Sequence, residues 1–181
     1  VTFASSYAQE KIANLPVYQD KYGPGARSVF AHANGTWGPA FDLRDSISFY
    51  PGYVEAFPQL YTKGGVPINT PYKAIPNNVE DFFRTGSVVE NSLSINGGKD
   101  KSSITAIVSN MSQESFIPGS DFRRTNFSVG GNAELDNGVI LGSNIQYTNS
   151  RQNGPLLGGG GASPFSRLLF QPRNWPLQDL P

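Results

Sequence analysis

The sequence predicts an all-β protein, an antiparallel meander that forms part of a large transmembrane β-barrel with long extracellular loops. Three observations carry this expectation. Apolar and polar residues alternate with period two over about ten residues in the clearest segments, the length a tilted strand needs to cross a bilayer. Short polar turns alternate with longer connections, as in outer-membrane barrels. No apolar run approaches the ~18 residues of a membrane helix, yet charged residues make up only 15% of the 181 residues, against about 25% in soluble domains.

Val1–Ala8 is expected as a first barrel strand (residues 1–8), with Val1, Phe3 and Tyr7 on one face. Residues 9–86 are rich in Pro, Gly, Tyr and Phe and hold no lasting periodicity. So long an irregular stretch is unusual in a compact domain, and it is expected as a long extracellular loop region. No amphipathic helix is expected there, and Val79–Arg84 allows one short turn.

Residues 87–154 read as a four-stranded antiparallel meander. In Ser87–Asn96, Val89, Leu93 and Ile95 share one face, interrupted by Asn91, with Glu90, Ser92, Ser94 and Asn96 on the other. Gly97–Lys101 is expected as a polar turn. Ser102–Gln113 sets Ile104, Ala106 and Val108 against Ser103, Thr105 and Ser109, while Ile107 and Met111 fall off the pattern. Glu114–Arg124, containing Ile117-Pro118-Gly119, is expected as a longer loop.

Asn126–Leu135 alternates most cleanly: Phe127, Val129, Gly131, Ala133 and Leu135 against Asn126, Ser128, Gly130, Asn132 and Glu134. Asp136-Asn137-Gly138 is a tight-turn signal, since Asn and Gly tolerate positive φ. Beyond it Val139, Leu141, Ser143, Ile145 and Tyr147 share a face, and Ile140 is the exception on the other. The expected lipid-facing residues are Phe127, Val129, Leu135, Val139, Leu141, Ile145 and Tyr147, with Asn126, Asn132 and Glu134 toward the lumen. Tyr147, at the end away from the turn, is placed where an interfacial aromatic girdle would lie. Residues 155–181, with the run Gly158–Gly161, are expected as a further extracellular loop.

Several function classes find no support. Net charge is zero, so there is no basic stripe for nucleic acid. Cysteine is absent, which removes thiolate chemistry and Cys-based metal sites. His32 is the only histidine and is read as a loop residue without chemistry. Asp42, Asp45 and Glu55 lack the ligand spacing of a calcium loop. Gly158–Gly161 lacks the strand and the Lys-Ser/Thr helix start of a phosphate loop. Asn110-Met111-Ser112 and Asn126-Phe127-Ser128 match the glycosylation pattern inside expected strands and are read as chance. No nucleophile, base and oxyanion donors converge, so neither an enzyme nor a cofactor is expected. The opening Val1-Thr2-Phe3 carries no basic leader segment.

Aromatic residues cluster at Phe49-Tyr50-Pro51-Gly52-Tyr53, Tyr61, Tyr72 and Trp37. Trp37, Tyr50, Tyr53 and Tyr72 are the candidate substrate-binding rings, because they present flat apolar faces with polar handles. Packing of the long loop is the competing reading of the same rings.

The block Pro71-Tyr72-Lys73-Ala74-Ile75-Pro76-Asn77-Asn78-Val79-Glu80-Asp81-Phe82-Phe83-Arg84-Thr85-Gly86 resembles a signature of SusC/RagA-type TonB-dependent outer-membrane transporters. Asn91–Gly98, Ser109-Asn110 and the loop Ile117-Pro118-Gly119-Ser120-Asp121-Phe122-Arg123-Arg124 follow in the order and spacing of that family. Tyr22-Gly23-Pro24-Gly25 and Trp37-Gly38-Pro39 also look like its elements. The resemblance covers essentially the whole chain and places it just after the plug domain. It implies a 22-stranded barrel with a plugged lumen in the outer membrane of a Gram-negative, Bacteroidota-like bacterium. The implied partners are outer-membrane lipid, a SusD-like lipoprotein lid and the TonB complex through a plug region. The implied cargo is an oligosaccharide or a peptide.

Five strands cannot close a barrel whose single-chain members use 8 to 26, so the sequence is expected to be part of a larger protein. A soluble secreted all-β carbohydrate-binding module alternates in the same way and is the alternative.

Overall fold

A computed structural model describes residues 1–155 and 163–177. The chain divides into two compact units: Val1–Ala13 with Phe83–Pro155, and Asn14–Phe82 with Leu156–Pro181. The expected loop at Gly158–Gly161 lies outside the described residues.

The first unit is one antiparallel sheet of five strands in sequence order: β1 Thr2–Glu10, β2 Gly86–Lys99, β3 Ser102–Glu114, β4 Asp121–Glu134 and β5 Ile140–Asn153. The all-β expectation and the meander are therefore met, and β1 joins the meander along β2. No barrel is closed among the described residues.

β2 runs past its expected end to Lys99, and β4 begins at Asp121, ahead of its expected start. Gly97 and Gly98 stay in the ladder opposite Ile104 and Ser103, so only Asp100 and Lys101 turn, with Asp100 at φ 48°. Composition made Gly97–Lys101 look like a turn. In the fold the glycines allow close strand approach, since a Cβ at Gly98 would overlap the Ser102 carbonyl oxygen.

The expected loop Glu114–Arg124 shrinks to residues 115–120. Ser115 N–H donates to the Ser120 carbonyl at 3.0 Å, and Gly119 takes φ 72°. Strands of 13 or 14 residues, at about 3.4 Å rise per residue, span more than a ~30 Å hydrocarbon layer. Their polar ends are strand because they pair across the ladder, without being apolar.

The turn after β4 also differs in detail. Gly138 N–H donates to the Leu135 carbonyl and Leu135 N–H to the Val139 carbonyl, both at 2.8 Å. Only Gly138 takes positive φ, at 80°. Asn137 acts through its side chain, whose Oδ1 accepts the Val139 N–H at 3.1 Å. This is the longer hairpin turn that ends on a left-handed glycine.

Gly131 is a tight point of the ladder. A Cβ there would overlap the Ser103 carbonyl oxygen. Gly131→Ala should destabilise the sheet by about 1–3 kcal/mol, the usual cost of overpacking, read as a lower urea midpoint. Gly142→Ala, whose added carbon would meet nothing closer than 3.6 Å, is the matched control.

The second unit was expected to be irregular, and it is largely built from short pieces. Three two- or three-residue ladders pair Gly25–Ala26 with Val29–Phe30, Ser46–Ser48 with Asn69–Pro71, and Thr62–Lys63 with Val66–Pro67. It also holds short helices that were not expected from the sequence: α1 Pro51–Ala56, α2 Pro58–Tyr61 and α3 Pro164–Phe170. Each starts on a proline, whose fixed φ suits the first helical position. All are too short to show a 3.6-residue period.

The core of this unit gathers Ile47, Tyr72, Val79 and Leu168. The two Gly-Pro motifs pack backbone against backbone. Gly38 N–H donates to the Gly23 carbonyl at 3.0 Å and Gly23 N–H to the Pro39 carbonyl at 3.1 Å. A Cβ on Gly38 would overlap the Pro24 carbonyl oxygen, and one on Gly23 the Tyr72 hydroxyl.

A second fastening joins Ile75–Asn78 to residues 173–177. Ile75 N–H donates to the Arg173 carbonyl at 2.8 Å. The Asn78 amide donates to the Trp175 carbonyl and accepts the Leu177 N–H. Buried Arg173 pairs with Asp20 at 2.8 Å and lies 5.0 Å from the Tyr18 ring centre.

Candidate functional site

Two features qualify, one in each unit. The first is the pair of faces of the five-stranded sheet. Directly opposed residues share a face, so the ladder registers define rows across it. One row holds Phe3, Leu93, Val108, Phe127 and Tyr147. The next, toward the short turns, holds Ile95, Ala106, Val129 and Ile145, and two further rows add Ile104, Ala133 and Leu141. Leu135 and Val139 close the same ladder at the turn. All seven expected lipid-facing residues thus fall on one face.

That face is apolar and uncovered: Phe127 is 45% exposed, Leu141 57% and Ile145 67%. Toward the loop end it stops at a row of Ser5, Asn91, Asn110, Thr125 and Asn149. These side chains partly satisfy one another, Ser5 with Asn91 at 2.7 Å and Asn110 with Thr125 at 3.0 Å. One row further on, β1 and β2 return to apolar Tyr7 and Val89, whereas β3 to β5 present Ser112, Arg123 and Arg151. The apolar band therefore steps along the strands as it crosses the sheet. Tilted strands crossing a flat hydrocarbon slab require such a step.

The opposite face is polar. Its rows include Ser92, Ser109, Asn126 and Thr148, then Asn96, Thr105, Gly130 and Asn144. Cross-strand bonds tie these groups: Asn126 to Ser109 at 3.1 Å, Thr148 to Asn126 at 3.0 Å, and Ser103 to Asn132. Ile107 and Ile140 interrupt it, as the alternation indicated, and Val88, Met111 and Phe122 add apolar side chains to it at the loop end. The outward edges of β1 and β5 pair with nothing among the described residues.

The ends of the sheet differ too. Asp100-Lys101 and residues 135–139 turn at one end. Glu10, Gly86, Glu114, Asp121 and Asn153 share the other.

The second feature is a cavity of about 610 Å³ in the other unit, walled by His32, Tyr50, Tyr53, Leu168, Gln171 and Trp175 among others. The rings meet edge to face. Tyr50 and Trp175 have centres 5.1 Å apart, Tyr50 and Tyr53 5.8 Å, and His32 and Tyr50 6.0 Å. Rings so close support one another as a wall, a preferred aromatic arrangement.

Of the four rings expected to bind substrate, Tyr50 and Tyr53 line this cavity and two do not. Trp37 is exposed and absent from the lining. Tyr72 is only 2% exposed. Its hydroxyl donates to the Pro39 carbonyl at 2.8 Å, and its ring packs 4.9 Å from Phe41 and 6.1 Å from Phe30. Tyr72 is a core residue and cannot stack on cargo. Burial pushes its phenol pKa up, against the opposing pull of the Arg44 guanidinium. Tyr18 shifts up in the same way, with Arg173 opposing.

Trp175 carries no signal in the alternation, and His32, expected as a loop residue without chemistry, lines the cavity. His32 Nε2 sits 3.2 Å from the Ser48 hydroxyl. Desolvation lowers its pKa from the ordinary 6.5. The folded state therefore takes up its proton later than the unfolded chain as pH falls, so this contribution is intact above 6.5 and erodes below it. The thermal midpoint of this unit should drop between pH 7.5 and pH 5, and His32→Gln should remove part of that drop. Fluorescence of Trp37 and Trp175, the two tryptophans of the chain, reports it.

Among the described residues no three His, Asp or Glu side chains gather as a metal set, and no helix is long and apolar enough to cross a membrane. No known family model matches the chain, and no curated protein matches it.

Proposed function

We propose that this chain is a stretch of the wall of a TonB-dependent outer-membrane transporter of the SusC/RagA type. The whole protein would import an oligosaccharide or a peptide. The observation that supports this best is the contrast between the two faces of one sheet: a continuous uncovered apolar band on one side and a mutually bonded polar surface on the other. Soluble monomers rarely leave so large an apolar patch in water, whereas a bilayer stabilises it.

Two open edges with unpaired backbone groups fit the same reading. In lipid each such group would cost several kcal/mol, so further strands must continue the wall on both sides. The short turns then face the periplasm and the longer connections the outside, and the aromatic cavity of the second unit is the candidate cargo site. The SusD-like lid and the TonB complex enter on the motif resemblance alone.

The test is fractionation of the native protein. Retention in outer membranes through an alkaline carbonate wash, with release only by detergent, is the expected result. A protein released into the aqueous fraction without detergent would support the soluble carbohydrate-binding module instead.

A further inference from the structure

We propose that Arg123 and Arg151 form a site for the phosphate headgroup of an anionic membrane lipid on the apolar side of the sheet. The proposal rests on the membrane-wall reading above. It starts from the ladder, in which Arg123 of β4 lies directly opposite Arg151 of β5. Like charges directly opposed across two strands repel. Among the described residues neither guanidinium is paired with a carboxylate, and both side chains are exposed. Two exposed arginines opposed across the ladder favour a shared counter-charge, and the arginine fork matches phosphate oxygens bidentately.

Their depth agrees. On β4 the apolar band ends between Phe127 and Thr125, and on β5 between Tyr147 and Asn149. The arginine row lies about three residues beyond that boundary. At about 3.4 Å per residue and a tilt near 40°, that is about 8 Å along the membrane normal. A headgroup layer is about 5–8 Å thick on each side of the hydrocarbon, so the guanidiniums reach into it.

The surroundings select for approach from the lipid side. Below the pair lie neutral Thr125, Asn110 and Asn149. Above it lie Asp121, opposite both Glu114 and Asn153, with the Asn153 amide donating to Asp121 at 3.0 Å. An anion anchored by acyl chains meets the arginines first, whereas one arriving from the water must pass the two carboxylates. At the other end of the band the outward cation is the single Lys99, in the row of Ser102 and Ala133.

The protein is purified in a neutral detergent and titrated with short-chain phosphatidic acid or with phosphatidylcholine of the same chains, and retained lipid is counted by native mass spectrometry. Wild type should retain phosphatidic acid about ten-fold better than phosphatidylcholine, the effect of one or two charge-assisted contacts. The Arg123→Gln/Arg151→Gln double variant should lose that preference while still retaining phosphatidylcholine, which shows its apolar face intact. Lys99→Gln should behave as wild type, and millimolar inorganic phosphate should not displace the lipid. A preference that survives in the double variant overturns the proposal. So does displacement by inorganic phosphate, which would mark a free-anion site. Wild type retaining phosphatidylcholine without any preference sinks the headgroup site alone. Wild type retaining neither lipid sinks the membrane-wall reading as well.

Discussion

Val129→Arg is expected to destabilise the membrane-inserted protein by about 2–4 kcal/mol, the cost of a cation on the lipid face near the bilayer midplane. Val129 sits in the second row of the band, with Ala106 and Ile145 opposite it on the two neighbouring strands. A guanidinium there has no carboxylate in its own row and cannot easily reach either surface. Asn132→Arg places the same group on the polar face, beside Ser103 and near the Lys101–Glu134 pair. It should be tolerated with a much smaller loss. Heat- or urea-resistance of the folded form in detergent, together with the fraction recovered in membranes, measures both. Equal recovery of Val129→Arg and wild type, with loss of Asn132→Arg, would reverse the facing assignment.

Tyr72→Ala should be the most damaging change in the second unit, at about 3–5 kcal/mol, the range for removing a buried aromatic side chain. Tyr72 is among the largest fully buried side chains. It touches both Gly-Pro motifs, through its bond to the Pro39 carbonyl and through Gly23, whose missing Cβ makes room for its hydroxyl. The Arg44 guanidinium lies 5.5 Å over its ring. Tyr72→Phe keeps the ring and loses one hydrogen bond, so it should cost about 0.5–1.5 kcal/mol. Because Trp37 and Trp175 both belong to this unit, tryptophan fluorescence in a denaturant series isolates its unfolding. A Tyr72→Ala midpoint equal to that of wild type would mean the ring is not part of the core.

How much of this was legible in the sequence follows from the range of the signal. Strand alternation is local: each side chain points opposite to its neighbour, so Phe127, Val129, Ile145 and their partners could be assigned a face before any pairing was known. The pairing of β1 with β2 was not local, because Phe3 and Leu93 meet across 90 positions of chain. Strand ends were misjudged where composition and backbone disagree. Gly97 and Gly98 look like turn residues but serve close strand approach, and Asp121–Arg124 looks like loop but pairs fully with β3 and β5.

The cavity was half legible. Tyr50 and Tyr53 lie together in the sequence, but His32 and Trp175 reach them only through the fold. Nothing in composition separates Tyr72, which is buried, from Tyr53, which lines the cavity. The burial of Tyr72 depends on Gly23, where a side chain would strike the Tyr72 hydroxyl.

The most direct test exploits the absence of cysteine from the chain. Single cysteines introduced in turn from Asn126 to Leu135 and carrying a nitroxide label can be read in membranes for collision with oxygen, which concentrates in lipid, and with a water-soluble nickel chelate. The wall account predicts oxygen accessibility that is high at 127, 129, 133 and 135, low at 126, 128, 132 and 134, and opposite in phase to any nickel signal. Labels at 127, 129 and 133 that are shielded from oxygen and packed against protein would contradict it.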